Sequence, residues 1–371
     1  MASDSGGRRG HLRRDYIDWL RGIAVLLMIM WHAIDSWHET ANRGTGAFLT
    51  AAFLAGWAAP LFLFLAGLSL ALAGTSRVEA GGNRAQVARA LAKRGWQVFL
   101  LAHLFRLQSF LLNPNASWSA LLKPDILNIL GLGLVASAYL WARAVGVRQQ
   151  MLWLLGPAAV VAFVLTPLAP TWWWPTLLYP RFEAYIRPVG NQGQFSLFPA
   201  TAFIFAGAFA GALLGAYDRV SEGRYHRRAA LIGLGLVCAG GLLDAAPGLA
   251  AVRWLQPAAV VTWRAGAMTL LLALAWWWLA RAGSPGRHHP LMVFGQTSLF
   301  VYFVHVEVAY GWVSSPLWKS LSMPWAVWAY AVLTVAMYGA AVLWRRRPSG
   351  ALIPAHLIPP RESTSLGRLQ P

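Results

Sequence analysis

The sequence predicts an all-α fold: a polytopic integral membrane protein of about ten transmembrane helices, with both termini cytoplasmic. Three observations predict it. Of 371 residues, 57% are hydrophobic and only 12% charged, far below the roughly 25% charged residues of an average soluble domain, and the mean hydropathy is +0.49. Apolar stretches recur at the length of about 20 residues that a membrane helix requires. The third observation is that positive charge alternates from one connection to the next.

The elements follow in order. Arg8, Arg9, Arg13 and Arg14 precede the first apolar segment, 17–37. Arg43 alone leads to the second, 47–73, which ends at Arg77, Arg84, Arg89, Lys93 and Arg94. The third, 96–112, and the fourth, 125–142, are joined past Lys123, and Arg143 and Arg148 follow. The fifth, 151–168, reaches the sixth, 196–217, through a long connection with Arg181 and Arg187; Arg219, Arg224, Arg227 and Arg228 come next. The seventh, 229–245, and eighth, 259–280, are separated by Arg253 and followed by Arg281 and Arg287. The ninth, 291–311, and tenth, 325–344, are separated by Lys319 and followed by Arg345, Arg346 and Arg347. Every second connection is basic, which is the positive-inside pattern.

A net charge of +18 spread in this way is topology, and it excludes a nucleic-acid surface. The arginine-rich start lacks a small-residue cleavage site, so the first segment is expected to remain as a helix. Cys238 is the only cysteine. It excludes an intrachain disulfide, argues against thiol or cysteine–zinc chemistry, and is expected to be a small core residue. The histidines have no ligand spacing, so no metal is expected. Residues 1–344 form one membrane domain, and 345–371, rich in Pro, Arg and Ser, form a disordered cytoplasmic tail. The connection 169–195 holds Trp172, Trp173 and Trp174, either interfacial anchors or an acceptor platform.

The informative residues are ionisable ones at membrane depth, which are costly and ask for a reason. At about 100° per residue, Asp18, Arg21, Met28, His32 and Asp35 fall within one stripe of the first segment. That stripe is expected to face protein or a water-filled path. His32 lies about 22 Å from the cytoplasmic start by the rise of a helix, in the outer half. His305 lies about as far along the ninth segment, on a face with Gly295, Ser298, Tyr302 and Ala309. Asp125, Asn128 and Arg264 also fall in the outer half. Arg21, His103 and Arg106 lie deeper toward the cytoplasm. Arginine suits phosphate through its planar fork; histidine beside a carboxylate suits proton transfer near neutral pH. Structural readings stand beside these: Asp18–Arg21 as a salt bridge, Arg106 and Arg264 as partners of carboxylates such as Asp125, His38 as a solvated interfacial residue.

The run from Arg14 through Asp18, Arg21 and Met28 to His32 resembles the first helix of bacterial membrane proteins related to heparan-α-glucosaminide N-acetyltransferase. Ala59, Pro60, Ala66, Gly67 and Ser69 resemble their second helix. The stretch from Asp125 through Asn128 to Gly131 is similar as well, and Gly295, Gln296, Ser298, Tyr302 and His305 resemble motifs of the wider transmembrane acyltransferase superfamily. The resemblance implies acyl transfer across a bacterial inner membrane. Cytoplasmic acyl-CoA, acetyl-CoA foremost, is the implied donor, with an envelope sugar or glycolipid as acceptor on the outer side. It also implies a catalytic histidine near the outer end of the first helix, a role that falls on His32 or on His38.

The resulting expectation is a membrane-embedded O- or N-acyltransferase. His32 acts as base or acyl carrier, with Asp35 beside it. Arg21, His103 and Arg106 hold the donor phosphates, while Asp125, Asn128, Arg264, Tyr302 and His305 orient the acceptor or polarise the thioester. The rival is a proton-coupled transporter or permease of a small polar solute, which the same intramembrane groups suit. A third reading is a structural subunit of an envelope complex.

Overall fold

The computed structural model describes residues 14–112, 117–144, 148–218, 220–246, 255–286 and 288–346. Among them the chain forms thirteen α-helices and no strand. In order these are α1 (Asp15–Trp37), α2 (Gly46–Ala55), α3 (Ala58–Glu79), α4 (Arg84–Leu112), α5 (Ile126–Ala144), α6 (Arg148–Leu168) and α7 (Pro180–Ile186). There follow α8 (Leu197–Gly215), α9 (Glu222–Ala245), α10 (Leu255–Ala282), α11 (Pro290–Gln296), α12 (Ser298–Tyr310) and α13 (Met323–Arg346). With lipid on all sides, backbone groups must be satisfied within the segment, and helices do so.

Eight helical segments among the described residues are long and apolar enough to cross a membrane, and α11 with α12 makes a ninth if that bent pair is one span. The chain is a multi-pass all-α membrane protein. Three expected segments come out differently. The third is the second half of α4, whose 29 residues give a length of about 44 Å. It begins at Arg84 because a polar, helix-favouring run precedes the apolar one. The second is split between α2 and α3 at Gly56 and Trp57. The ninth is broken at Thr297, which has non-helical dihedrals, and its two halves are bent by 92°. Residues 1–13 and 347–371, with Arg219, Arg253 and Arg287, lie outside the described residues; Arg345 and Arg346 belong to α13.

Lipid tails are as apolar as leucine, so helix association rests on close packing and small residues rather than on expelling water. The pairing of α3 with α8 shows this: a Cβ on Gly67 would stand 2.0 Å from the Ile204 carbonyl oxygen, and one on Gly207 1.9 Å from that of Phe64. The helices α4 and α5 meet through Gly95 and Gly131, and α9 meets α10 through Gly233 and Gly266. One apolar cluster joins α3, α5, α6 and α8; a second joins α1 with α12 and α13; a third joins α1 with α3, α8, α9 and α10. The outer face of α9 is mostly unpacked, and Cys238 is exposed on it. The expectation of a core cysteine is corrected: it points where the spacing of Gly233 and Gly240 turns the opposite face to α10.

Both ends of α1 are tied down. At its start, Glu222 accepts from Arg14 Nε at 3.0 Å and from the Tyr16 hydroxyl, and His226 Nε2 lies 3.2 Å from that hydroxyl. At its other end a strap from the α12–α13 connection supplies donors to the last carbonyls. Lys319 N–H donates to Ser36 at 3.0 Å, Leu321 N–H to Trp37 at 2.9 Å, and Lys319 Nζ to Asp35 at 2.7 Å. Arg43 Nη2 donates to the Asp35 carbonyl as well, at 2.6 Å. Two cations at a helix C-terminus also oppose its dipole favourably.

Candidate active site

The stripe on α1 opens onto one cavity of about 690 Å³, whose wall includes Arg21, Met28 and His32. Asp18 is buried beneath it at 3% exposure, paired with Arg21 at 2.9 Å, and Asp35 lies beyond its other end. From Arg21 to His32 the helix rises by about 16 Å, so the cavity reaches from an arginine end to a histidine end. Most of the wall is apolar, with Phe62, Leu63, Val98 and Phe203 among it. A few polar groups on a mostly apolar wall, in a volume within roughly 300–1,000 Å³, is the usual form of a small-molecule site.

At the histidine end, His32 and His305 meet. After the bend at Thr297, α12 runs beside α1, setting Ala309 against Ser36, whose hydroxyl donates to the Ala309 carbonyl at 2.6 Å. One turn earlier, His32 Nδ1 and His305 Nε2 are 2.7 Å apart, with the rings stacked at 5.0 Å. The tautomers follow from the partners. His305 Nδ1 faces the Val301 carbonyl at 2.6 Å, and a carbonyl only accepts, so His305 carries its proton on Nδ1. Neutral His305 then accepts at Nε2, and His32 donates from Nδ1. The basic nitrogen of His32 is therefore Nε2, which has no partner among the described residues. His305 is fully buried behind it.

Asp35 does not touch His32. Its carboxylate is taken by Arg43 at 3.1 Å and by the Tyr310 hydroxyl at 2.9 Å, and Tyr310 in turn sets its ring edge-on to His32 at 5.5 Å. The expected Asp35–His32 contact is replaced because residues three apart on a helix reach each other only if no stronger partner arrives from elsewhere. His38, expected at a solvated interface or as the second catalytic choice, is fully buried and off the cavity wall. It stacks on Phe48 at 5.5 Å, and its Nδ1 donates to the Leu321 carbonyl at 3.1 Å, so it belongs to the strap that holds the end of α1.

Asp125, at the start of α5, is on the wall. Its Oδ2 accepts from the Tyr302 hydroxyl at 2.9 Å and lies 3.9 Å from Arg106 Nη2, while its Oδ1 accepts from the Ile126 N–H at 2.7 Å. Asn128 Oδ1 accepts from the Asp125 N–H at 3.0 Å, which fixes the amide so that Nδ2 faces His103 Nδ1 at 2.9 Å, a ring nitrogen that also lies 3.1 Å from the Phe99 carbonyl. His103 and Arg106 are thus corrected from the arginine end to the histidine end, Arg106 joining Tyr302 one turn from His305. Because α4 begins at Arg84, His103 stands about 28 Å along it rather than a few residues from its start. Neither lines the cavity.

Three arginines do line it: Arg21, Arg94 and Arg264. Arg21 donates to Ser69 Oγ at 2.6 Å as well as to Asp18. Arg94, Ser69, Gln194 and Ser196 were not legible as site residues. Arg94 is one of five basic residues in its connection, with nothing in the pattern to separate it; Ser69 stands in the second-helix motif and could have been found there.

Among curated proteins none matches the chain. A family model described as heparan-alpha-glucosaminide N-acetyltransferase, catalytic, matches residues 13–239, a stretch that holds α1 through most of α9 and so His32, Asp35, His38 and Asp125, while Arg264, Tyr302 and His305 lie beyond it. The match covers more than half of the chain, and the chain belongs to that family, which makes it a membrane acetyltransferase.

Proposed function

We propose that the protein transfers an acetyl group from cytoplasmic acetyl-CoA to a hydroxyl or amine of a sugar or glycolipid at the outer side of a bacterial inner membrane. The observation that carries this reading is the tautomer chain from Val301 through His305 to His32, which leaves the basic Nε2 of His32 at a cavity long enough to hold donor and acceptor together. The alternating arginines assign the Arg21 end to the cytoplasm. There Arg21 and Arg94 meet the donor's phosphates, and the pantetheine arm lies along the apolar wall with its thioester at His32. His103 and Arg106, behind the wall, support Asp125 and Tyr302 instead of the donor.

His32 Nε2 takes the proton of the acceptor as the acceptor's oxygen or nitrogen attacks the thioester carbon. The imidazolium so formed keeps its Nδ1–H on His305 Nε2, and it returns the other proton to the departing thiolate. Tyr302 and Asp125 line the same end and orient the acceptor. One cavity open to both substrates favours direct transfer over an acetyl-histidine.

The test supplies acetyl-CoA labelled in the acetyl group to membranes carrying the protein or its His32→Ala variant. The expected result is label in a sugar or glycolipid fraction, lower in the variant by about 10²- to 10⁴-fold, the usual contribution of a general base. Proton-coupled solute uptake with no acetyl turnover would overturn the proposal in favour of a transporter. A burst of free CoA without acceptor would replace direct transfer by an acetyl-enzyme.

A further inference from the structure

Arg264, on α10, lines the cavity and, among the described residues, makes no hydrogen bond and no ion pair. Its Nε is occluded and unpartnered. Its guanidinium leans on the Trp263 ring at 5.6 Å, and Trp263 packs against Trp57 at 5.2 Å. The wall facing it is stripped of side chains: a Cβ on Gly56 would come 3.5 Å from Nη2, and Ala52, Ala55 and Ala59 flank it. The one carboxylate on the wall among the described residues, Asp125, is already held by Tyr302, Arg106 and a backbone N–H. A guanidinium in the membrane interior is kept with a partner, five donors in a planar fork suit a phosphate or carboxylate, and none of the described residues supplies one.

We propose that the histidine end of the cavity is an anion subsite in which Arg264 holds a phosphate or carboxylate borne by the acceptor. The identity of the occupant as acceptor rests on the acetyl-transfer reading. The donor is met by Arg21, about 16 Å from His32 along α1, and by Arg94 on α4, and the small residues opposite Arg264 leave room for a sugar-sized group beside His32. The acceptor is therefore an acidic sugar or a sugar phosphate, and a neutral sugar is a poor one.

The experiment uses the full chain in phosphatidylcholine nanodiscs and measures binding of glucose 6-phosphate, glucuronate and glucose by calorimetry, with acetyl-CoA as a separate ligand. The two anionic sugars are expected to bind about 10- to 100-fold more tightly than glucose, the range of a charge-assisted hydrogen-bond set. Arg264→Gln is expected to bring both to the level of glucose while acetyl-CoA binding is retained. In the unmodified protein, sodium sulfate is expected to compete with both anionic sugars and to leave glucose alone, a result that stands even if the variant fails to fold. Equal binding of the three sugars overturns the proposal. So does a loss of acetyl-CoA binding in a folded Arg264→Gln protein, since the guanidinium would then serve the donor. Repeating the measurement in phosphatidylglycerol nanodiscs separates the sources: if that lipid abolishes sugar binding, the anion is a lipid headgroup and the acceptor assignment fails. Acetyl transfer lost in His32→Ala with anion binding intact separates this subsite from the chemistry.

Discussion

At the scale of single residues, the proposed chemistry rests on the His32–His305 pair. His305 is not on the cavity wall, so in the proposed reaction it would act through His32, as a positioning residue that fixes which nitrogen is basic. Replacing it by leucine leaves the His32 Nδ1–H without its acceptor and frees the ring to adopt the other tautomer. His305→Leu is expected to lower acetyl turnover by about 100-fold, equivalent to about 2.7 kcal/mol of transition-state stabilisation, with acetyl-CoA affinity unchanged. His305→Gln, whose amide oxygen can accept the same proton, is expected to recover much of the loss. Turnover and binding measured side by side decide it: equal losses in the two variants, or a loss of donor binding, would reduce His305 to a packing residue. Part of this site was legible beforehand. The stripe of Arg21, Met28 and His32 follows from helical spacing alone, and His305 was placed at the depth of His32 by counting residues. The fate of Asp35 was not legible, because Arg43 and Tyr310 reach it through tertiary contacts that no local spacing encodes.

At the scale of elements, the site depends on how α11 and α12 approach α1. The short α11 crosses α1 where two glycines meet backbone: a Cβ on Gly295 would stand 1.9 Å from the Asp18 carbonyl oxygen, and one on Gly22 2.1 Å from that of Leu291. The bend at Thr297 then turns α12 alongside α1. The existence of these apolar segments was readable from length and hydropathy, but their breaks were not, since an apolar run carries no information on where its axis turns. Gly295→Ala is expected to force the crossing apart, costing about 1–3 kcal/mol as overpacking does and lowering the midpoint of thermal unfolding in detergent. Gly235→Ala is the control: no atom comes within 4 Å of its added Cβ, and alanine in a helix interior is favoured over glycine by about 0.5–1 kcal/mol. If the two variants shift the midpoint equally, the crossing is not tight and His305 is not held by it.

At the scale of the whole molecule, the direction of transfer rests on which end of α1 faces the cytoplasm. Its 23 residues rise by about 35 Å, slightly more than a hydrocarbon core of about 30 Å, so the Glu222 network at one end and the Lys319 strap at the other lie near opposite surfaces. The connection next to Glu222 includes Val220, 95% exposed, and the strap side includes the exposed Ser315. Arg14, Arg224, Arg227, Arg228 and Arg281 gather at the first of these surfaces, with Ser284 donating to Asp15 there. Arg43, Arg187 and Lys319 lie on connections of the other. By the positive-inside rule an excess of arginine marks the cytoplasmic side, and the proposed function needs that orientation: Arg21 and Arg94 would then stand where CoA is made and His32 where envelope sugars are found. Single cysteines introduced into a Cys238→Ser background test this directly. In cells whose outer surface alone is open to a membrane-impermeant maleimide, Ser315→Cys is expected to be labelled and Val220→Cys to be labelled only after permeabilisation. The reverse pattern would put His32 on the cytoplasmic side, and a donor and acceptor drawn from the same compartment would then make the length of the cavity unnecessary.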